Sequence, residues 1–139
     1  MKDFIYDGGV KIIYGADQQT LVAQEIAKLG KRLLIVPTGS FVAGGHLEEL
    51  KDSLVSEGIE VSCLTSGREP LLSKVKEGVK LCNEKQIEVI IGIGGGVSMD
   101  LAKTIAFRAL NQQQPMEKYL TSRQHFNLWT DDSIYPVIL

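Results

Sequence analysis

Neither sign of charge is in excess, cysteine is scarce, and no apolar run approaches the length of a membrane-spanning helix; each shortage closes a class of function. Lysine and arginine number 15 against 17 aspartate and glutamate, for a formal net charge of -2. Neither sign forms a long block, so nucleic acid and anionic lipid surfaces find no electrostatic footing. The two cysteines, Cys63 and Cys82, are too few and too far apart for a metal cluster or a disulfide framework, and both are expected as small core residues. The apolar runs fall well short of the ~20 residues a membrane helix requires. The opening MKDFIYDGGVKII is polar and broken by glycines, unlike a signal peptide, so a cytoplasmic protein is expected. A small-molecule ligand is the default that remains.

What is present is a chain of 139 residues, enough for one domain with its own core and too short for two ordinary ones. FIY-DGG-VKIIYG predicts a hairpin, because Asp7, Gly8 and Gly9 tolerate turn geometry between β-favouring segments. From Thr20 the positions Leu21, Val22, Ile26, Ala27 and Leu29 follow a helical period, and Gly30 stands where a C-terminal cap is expected. RLLIV, residues 32 to 36, reads as a strand covered on both faces, and PTGS then turns the chain. Leu47, Leu50 and Leu54 predict a second helix closed by Gly58, and IEVSCLT a further strand. Leu72, Val75, Val79 and Cys82 give the stripe of a third helix, EVIIG another buried strand, and Leu101, Ala102, Ile105, Ala106, Ala109 and Leu110 the inward face of a fourth helix. After Leu110 the pattern decays into polar sequence with a short helical turn around Met116 to Leu120, and IYPVIL starts a last strand.

Strands alternating with helices predict an α/β fold: an open, mostly parallel sheet with helices on both faces, preceded by the hairpin. Ligands of such sheets bind at the carboxyl ends of the strands, where the two turns PTGS (37 to 40) and GIGGGVSMD (92 to 100) are expected. A glycine-rich turn between a parallel strand and a helix lets backbone N–H groups approach an anion and aims the positive helix end at it. The dinucleotide pattern GxGxxG fails because Val97 stands where Gly or Ala is required, and no Gly-Lys-Ser/Thr follows for a Walker loop. Two plainer readings stand beside the phosphate one. The glycines permit a tight turn and close helix packing, and Asp100 complements the helix dipole; otherwise it is expected to brace the loop or face a sugar hydroxyl or the substrate side rather than touch phosphate. Lys103 reads equally well as a solvated surface charge.

At GIGGGVSMDLAKTIA the chain resembles the GGGSxxDxAK segment of the iron-containing alcohol dehydrogenases, which share a fold with glycerol dehydrogenase and dehydroquinate synthase. The resemblance extends over VKIIYGADQQTLVAQEI, KRLLIVPTGSF and VKEGVKLCNEKQIEVIIGIGGG. It implies a dehydroquinate synthase-like N-terminal domain that binds NAD or NADP. It also implies a separate helical domain in which an Asp and three His hold a divalent iron or zinc. Family sequences continue beyond a segment like YPVIL, so residues 1 to 139 are expected to be a truncated dinucleotide-binding domain without metal ligands. His46 and His125 do not match the ligand positions and are expected at the surface. The cofactor contacts implied are Thr38, Gly39, Ser40, Gly94, Gly95, Gly96, Val97, Ser98 and Asp100.

Three departures shape that expectation. Val97 replaces the usual serine after the glycines, as in dehydroquinate synthases, with Ser98 beside it. The EPNP-like segment appears as REPLL, and the strand that many NAD-dependent members end with an Asp ends here in PTGS. Without that carboxylate a 2′-phosphate meets no repulsion, which favours NADP; the resemblance to butanol-dehydrogenase-like members, which have a glycine- and serine-rich turn at the same place, supports this by analogy, and Arg32 and Arg68 are candidate cationic partners. The implied function is the nucleotide half of an enzyme moving hydride between NAD(P)H and a small alcohol or aldehyde, with a homo-oligomer expected from the apolar face a truncated domain exposes. A dehydroquinate synthase-like lyase domain and a complete non-catalytic nucleotide-binding or interaction module remain the alternatives.

Overall fold

A computed structural model describes residues 4–7, 11–14, 19–68, 72–110, 112 and 137–138. The hairpin forms as β1 (Phe4–Asp7) and β2 (Lys11–Tyr14), antiparallel, with Phe4 opposite Tyr14 and Asp7 opposite Lys11. Helix α1 (Gln19–Leu29) leads to β3 (Arg32–Pro37), a short helix α2 (Gly39–Ala43), α3 (His46–Ser56), β4 (Glu60–Cys63), α4 (Leu72–Lys85), β5 (Val89–Ile93), α5 (Gly96–Leu110) and β6 (Val137–Ile138). The second sheet has the order β4-β3-β5-β6, and each pair in it is parallel.

Alternation along β3 explains why both faces of this sheet are covered. Leu34 and Val36 point to one side, where they join Ile90 and the α4 and α5 residues Val75, Cys82, Leu101, Ala102, Ile105 and Ala106. Leu33 and Ile35 point to the other side, with Val89 and Ile91, against Ala23 and Ile26 of α1 and Leu47, Leu50 and Leu54 of α3. A β-run that is apolar at every position is therefore the signature of two-sided burial.

Several sequence expectations are corrected by the packing. The last expected strand is not among them: it forms where it is described, at Val137–Ile138, paired with Ile90 and Ile91 of β5. Leu29, Leu72 and Leu110, placed on inward stripes by periodicity, are 49%, 49% and 44% exposed because each sits in the terminal turn of its helix, where the sheet no longer covers it. Gly30 does receive the helix end, its N–H donating to the Ile26 carbonyl at 3.1 Å. The reason for glycine there is close approach rather than a left-handed cap, since a Cβ at this position would stand 2.7 Å from Cβ of Glu88. The turn of Gly8 and Gly9, the helical turn around Met116 to Leu120, and His125 lie outside the described residues. No helix among the described residues is long and apolar enough to cross a membrane.

Candidate functional site

The carboxyl ends of β3 and β5 converge on one feature. Strand β3 runs through Pro37, and the Thr38 N–H still donates to the Ile93 carbonyl at 2.9 Å, so the ladder holds one residue past the end of β3. Thr38 then caps α2: its backbone is extended and its Oγ1 accepts from the Phe41 N–H at 3.4 Å while lying 3.1 Å from Ser40 Oγ. The PTGS segment is thus the end of a strand and the start of a helix rather than an open turn. Helix α2 was not legible in the sequence, since five residues are too few to show a period and none of them is buried.

The glycine loop is shorter than its sequence suggests. Helix α5 already begins at Gly96, so only Gly94 and Gly95 form the turn; Val97 and Ser98 are first-turn helical residues and Asp100 stands just beyond that turn. Gly94 has φ of +126°, a conformation side chains rarely adopt, and a Cβ there would lie 2.7 Å from Thr38 Oγ1 and collide with Thr38 Cγ2. At Gly95 and Gly96 a Cβ would meet nothing within 4 Å. These two glycines leave open space above the helix end, whereas Gly94 is required by its backbone and its neighbour.

The first donors of α5 face that space. Ser98 N–H and Met99 N–H donate to the Gly95 carbonyl at 3.2 and 3.3 Å, while among the described residues no backbone partner takes the N–H groups of Gly95, Gly96 or Val97. Three unpaired donors at the positive end of a fifteen-residue helix form an anion-attracting cluster. Ser98 looks the other way: it is fully buried, and its hydroxyl hydrogen is shared between the Ile93 carbonyl at 2.8 Å and the Val36 carbonyl at 3.1 Å. Its hydroxyl braces the loop from below. The side chain of Asp100 is exposed, and its carbonyl accepts from Thr104 Oγ1 at 2.7 Å.

Among the remaining candidates, Arg32 is at the opposite, amino end of β3. There it donates to the Gln86 carbonyl at 2.7 Å and pairs with Glu88 at 2.9 Å, so it cannot reach a ligand at the carboxyl edge. The Glu88 carboxylate also accepts the N–H groups of Lys31 and Arg32, which hold its pKa below the usual carboxylate range with help from the Arg32 guanidinium. Arg68 is exposed in the loop that follows β4. One buried polar group was missed. Ser66, 6% exposed, carries an Oγ with no hydrogen-bond partner, and its N–H donates to the Pro37 carbonyl at 2.8 Å. Its place two residues after Leu64 was the signal that marked it as inward-facing.

Metal chemistry does not fit these residues. Among the described residues no three of His, Cys, Asp and Glu converge, and His46 is exposed, its ring tilted 40° against that of Phe41 with centroids 5.8 Å apart. Cys63 and Cys82 are free thiols, and burial raises both pKa values, that of Cys82 to about 11, as expected of small core residues rather than reactive thiolates.

An α/β domain with an anion-attracting helix end at its carboxyl edge is the class that fold and site define. The sequence profile of the iron-containing alcohol dehydrogenases matches residues 9–138, and the chain belongs to that family. It is 32% identical over 108 residues to NADH-dependent butanol dehydrogenase B of Clostridium acetobutylicum, covering 76% of this chain and 28% of the relative. It is 35% identical over 109 residues to the probable NADH-dependent butanol dehydrogenase 2 of Bacillus subtilis, covering the same shares, 76% and 28%. Among solved structures, NADH-dependent butanol dehydrogenase A of Thermotoga maritima superposes with a TM-score of 0.73 at 26% identity, over 99% of this chain and 34% of that one. The chain therefore spans about a third or less of the length of these relatives.

Proposed function

We propose that this chain is the dinucleotide-binding part of a metal-dependent alcohol dehydrogenase, whose whole protein moves hydride between NAD(P)H and a small alcohol or aldehyde. The observation that carries the reading is the set of unpaired N–H groups at Gly95, Gly96 and Val97, open to a ligand across two glycines with no side chains. In this reading the cofactor pyrophosphate accepts from those donors, and Gly94 keeps the loop low enough for it to approach. Thr38, Gly39 and Ser40 meet the adenosine ribose one strand away. Ser98 holds the helix end in register, and Asp100 stands beside the loop on the solvent side without touching phosphate. The bound nicotinamide supplies the hydride chemistry; these residues bind and orient it.

No acidic residue lies between Thr38 and His46, which leaves a 2′-phosphate unrepelled and favours NADPH. The names of the Clostridium and Bacillus relatives carry NADH instead. Their being dehydrogenases favours the hydride-transfer reading over a lyase or a non-catalytic module. A parent metal domain, a cytoplasmic setting and self-association through exposed apolar residues such as Val42 and Val55 belong to the same proposal. Calorimetric titration of the chain with NADPH and with NADH tests it. Tighter binding of NADPH is expected; tighter binding of NADH removes the NADPH preference alone, and binding of neither removes the cofactor site.

A further inference from the structure

Beyond Cys63 the edge strand keeps its ladder: Leu64 N–H donates to the Ile35 carbonyl at 2.9 Å and Ser66 N–H to that of Pro37 at 2.8 Å. The registers Ile35 opposite Cys63 and Pro37 opposite Ile93, continued along each strand as far as Thr38, set Ser66, Thr38 and Gly94 side by side in one row. The collision that a Cβ at Gly94 would make with Thr38 shows two members of the row already touching. Alternation fixes which way Ser66 points. Leu64 is buried in the α4 and α5 layer with Val36, Thr65 is exposed, and Ser66 is buried again, so it faces the side from which α5 starts.

A buried hydroxyl with no partner is costly, and this one stands at the edge where ligands of such sheets bind. We propose that Ser66 is a cofactor-binding residue, whose hydroxyl donates to the adenosine ribose end of the dinucleotide: the 2′-oxygen or a phosphate carried on it. The assignment rests on the functional reading above and extends it by one strand. A dinucleotide with its pyrophosphate at the end of β5 and its ribose at the end of β3 reaches the β4 row after two strand spacings, roughly 10 Å. Arg68, two residues on, is an exposed cation in the same loop beyond β4.

The test is calorimetric titration of the wild-type chain and of Ser66→Ala with NADPH, NADH, 2′,5′-ADP and 5′-AMP, alongside thermal unfolding. Ser66→Ala should weaken NADPH and 2′,5′-ADP about tenfold, with an unchanged or slightly raised unfolding midpoint, because no internal bond is lost. Thr65→Ala, on the opposite face, should bind as wild type does. Ser66→Cys keeps the volume with a weak donor and should reproduce the loss if the alanine variant folds poorly. An equal loss for NADH and 5′-AMP places the bond on the ribose hydroxyl; a loss confined to the 2′-phosphorylated probes places it on the phosphate. Wild-type affinity in both variants overturns the assignment and leaves the functional reading intact. A lowered midpoint with unchanged affinity overturns it in favour of a purely internal role. If the wild-type chain binds none of the four probes, the functional reading falls and this assignment falls with it.

Discussion

Thr38 occupies the space that a side chain at Gly94 would need, with its Oγ1 only 2.7 Å from where that Cβ would stand. The end of β3 and the loop after β5 are thereby one packed unit. Gly94→Ala combines a disfavoured backbone conformation with this collision and should cost about 3 kcal/mol, read as a lower urea midpoint. Adding Thr38→Ala should recover only part of the loss, because it relieves the collision and not the φ of +126°. Full recovery would show that the conformation itself is unstrained.

Ser98→Ala removes a buried hydroxyl that serves the carbonyls of Ile93 and Val36. The expected loss is about 1–2 kcal/mol in denaturant unfolding. Dinucleotide affinity should fall as well, because the helix end loses its index to the two strands while keeping every N–H donor. Unaltered affinity would mean that the other contacts of α5 suffice to place it.

The Glu88 carboxylate gathers the amino ends of β3 and its own strand through the N–H groups of Lys31 and Arg32. Its pKa is lower folded than unfolded, so its contribution is present above the ordinary carboxylate range and is lost as pH falls through the folded value. Glu88→Gln should therefore unfold at a lower temperature than wild type at pH 7, and the gap should close as the pH is taken below 4. A gap that stays constant with pH would assign the effect to hydrogen-bond geometry instead of charge.

Burial pushes the Cys82 thiol from 9.0 to about 11, which lowers its thiolate fraction near pH 8 roughly a hundredfold. Cys63 is shifted the same way by burial, against the pull of Lys51. Both thiols should react with a colorimetric disulfide reagent far more slowly in the folded chain than in denaturant, Cys82 the slower. Rapid release of either in native buffer would show that its layer opens locally.

How far the fold could be read in advance depended on how many residues each element spends in the core. Strands β3 and β5 announced themselves because each is apolar at consecutive positions, and α3 because Leu47, Leu50 and Leu54 are all buried. Helix α2 was invisible because it is five residues long and none of them is fully buried, and the terminal leucines misled because periodicity does not know where the sheet ends. At the site, the glycine run was legible as a place of close approach. That Gly96, Val97 and Ser98 are already helical was not, because it follows from where β5 releases the chain. The inward turn of Ser98 depends on the Val36 carbonyl, 62 residues away, and no local pattern encodes a partner at that separation.

That separation also bears on when a ligand can be captured. The donors of α5 are held in place by a contact that exists only after β3 and β5 have paired, so a chain that has formed the helix alone presents no ordered receptor. Occupancy of the cradle would then be linked to folding of the whole sheet, and saturating ligand at a hundred times its dissociation constant would hold the folded chain by about 2.7 kcal/mol. Any cofactor that binds there acts as a fastener across the strands as well as a reactant.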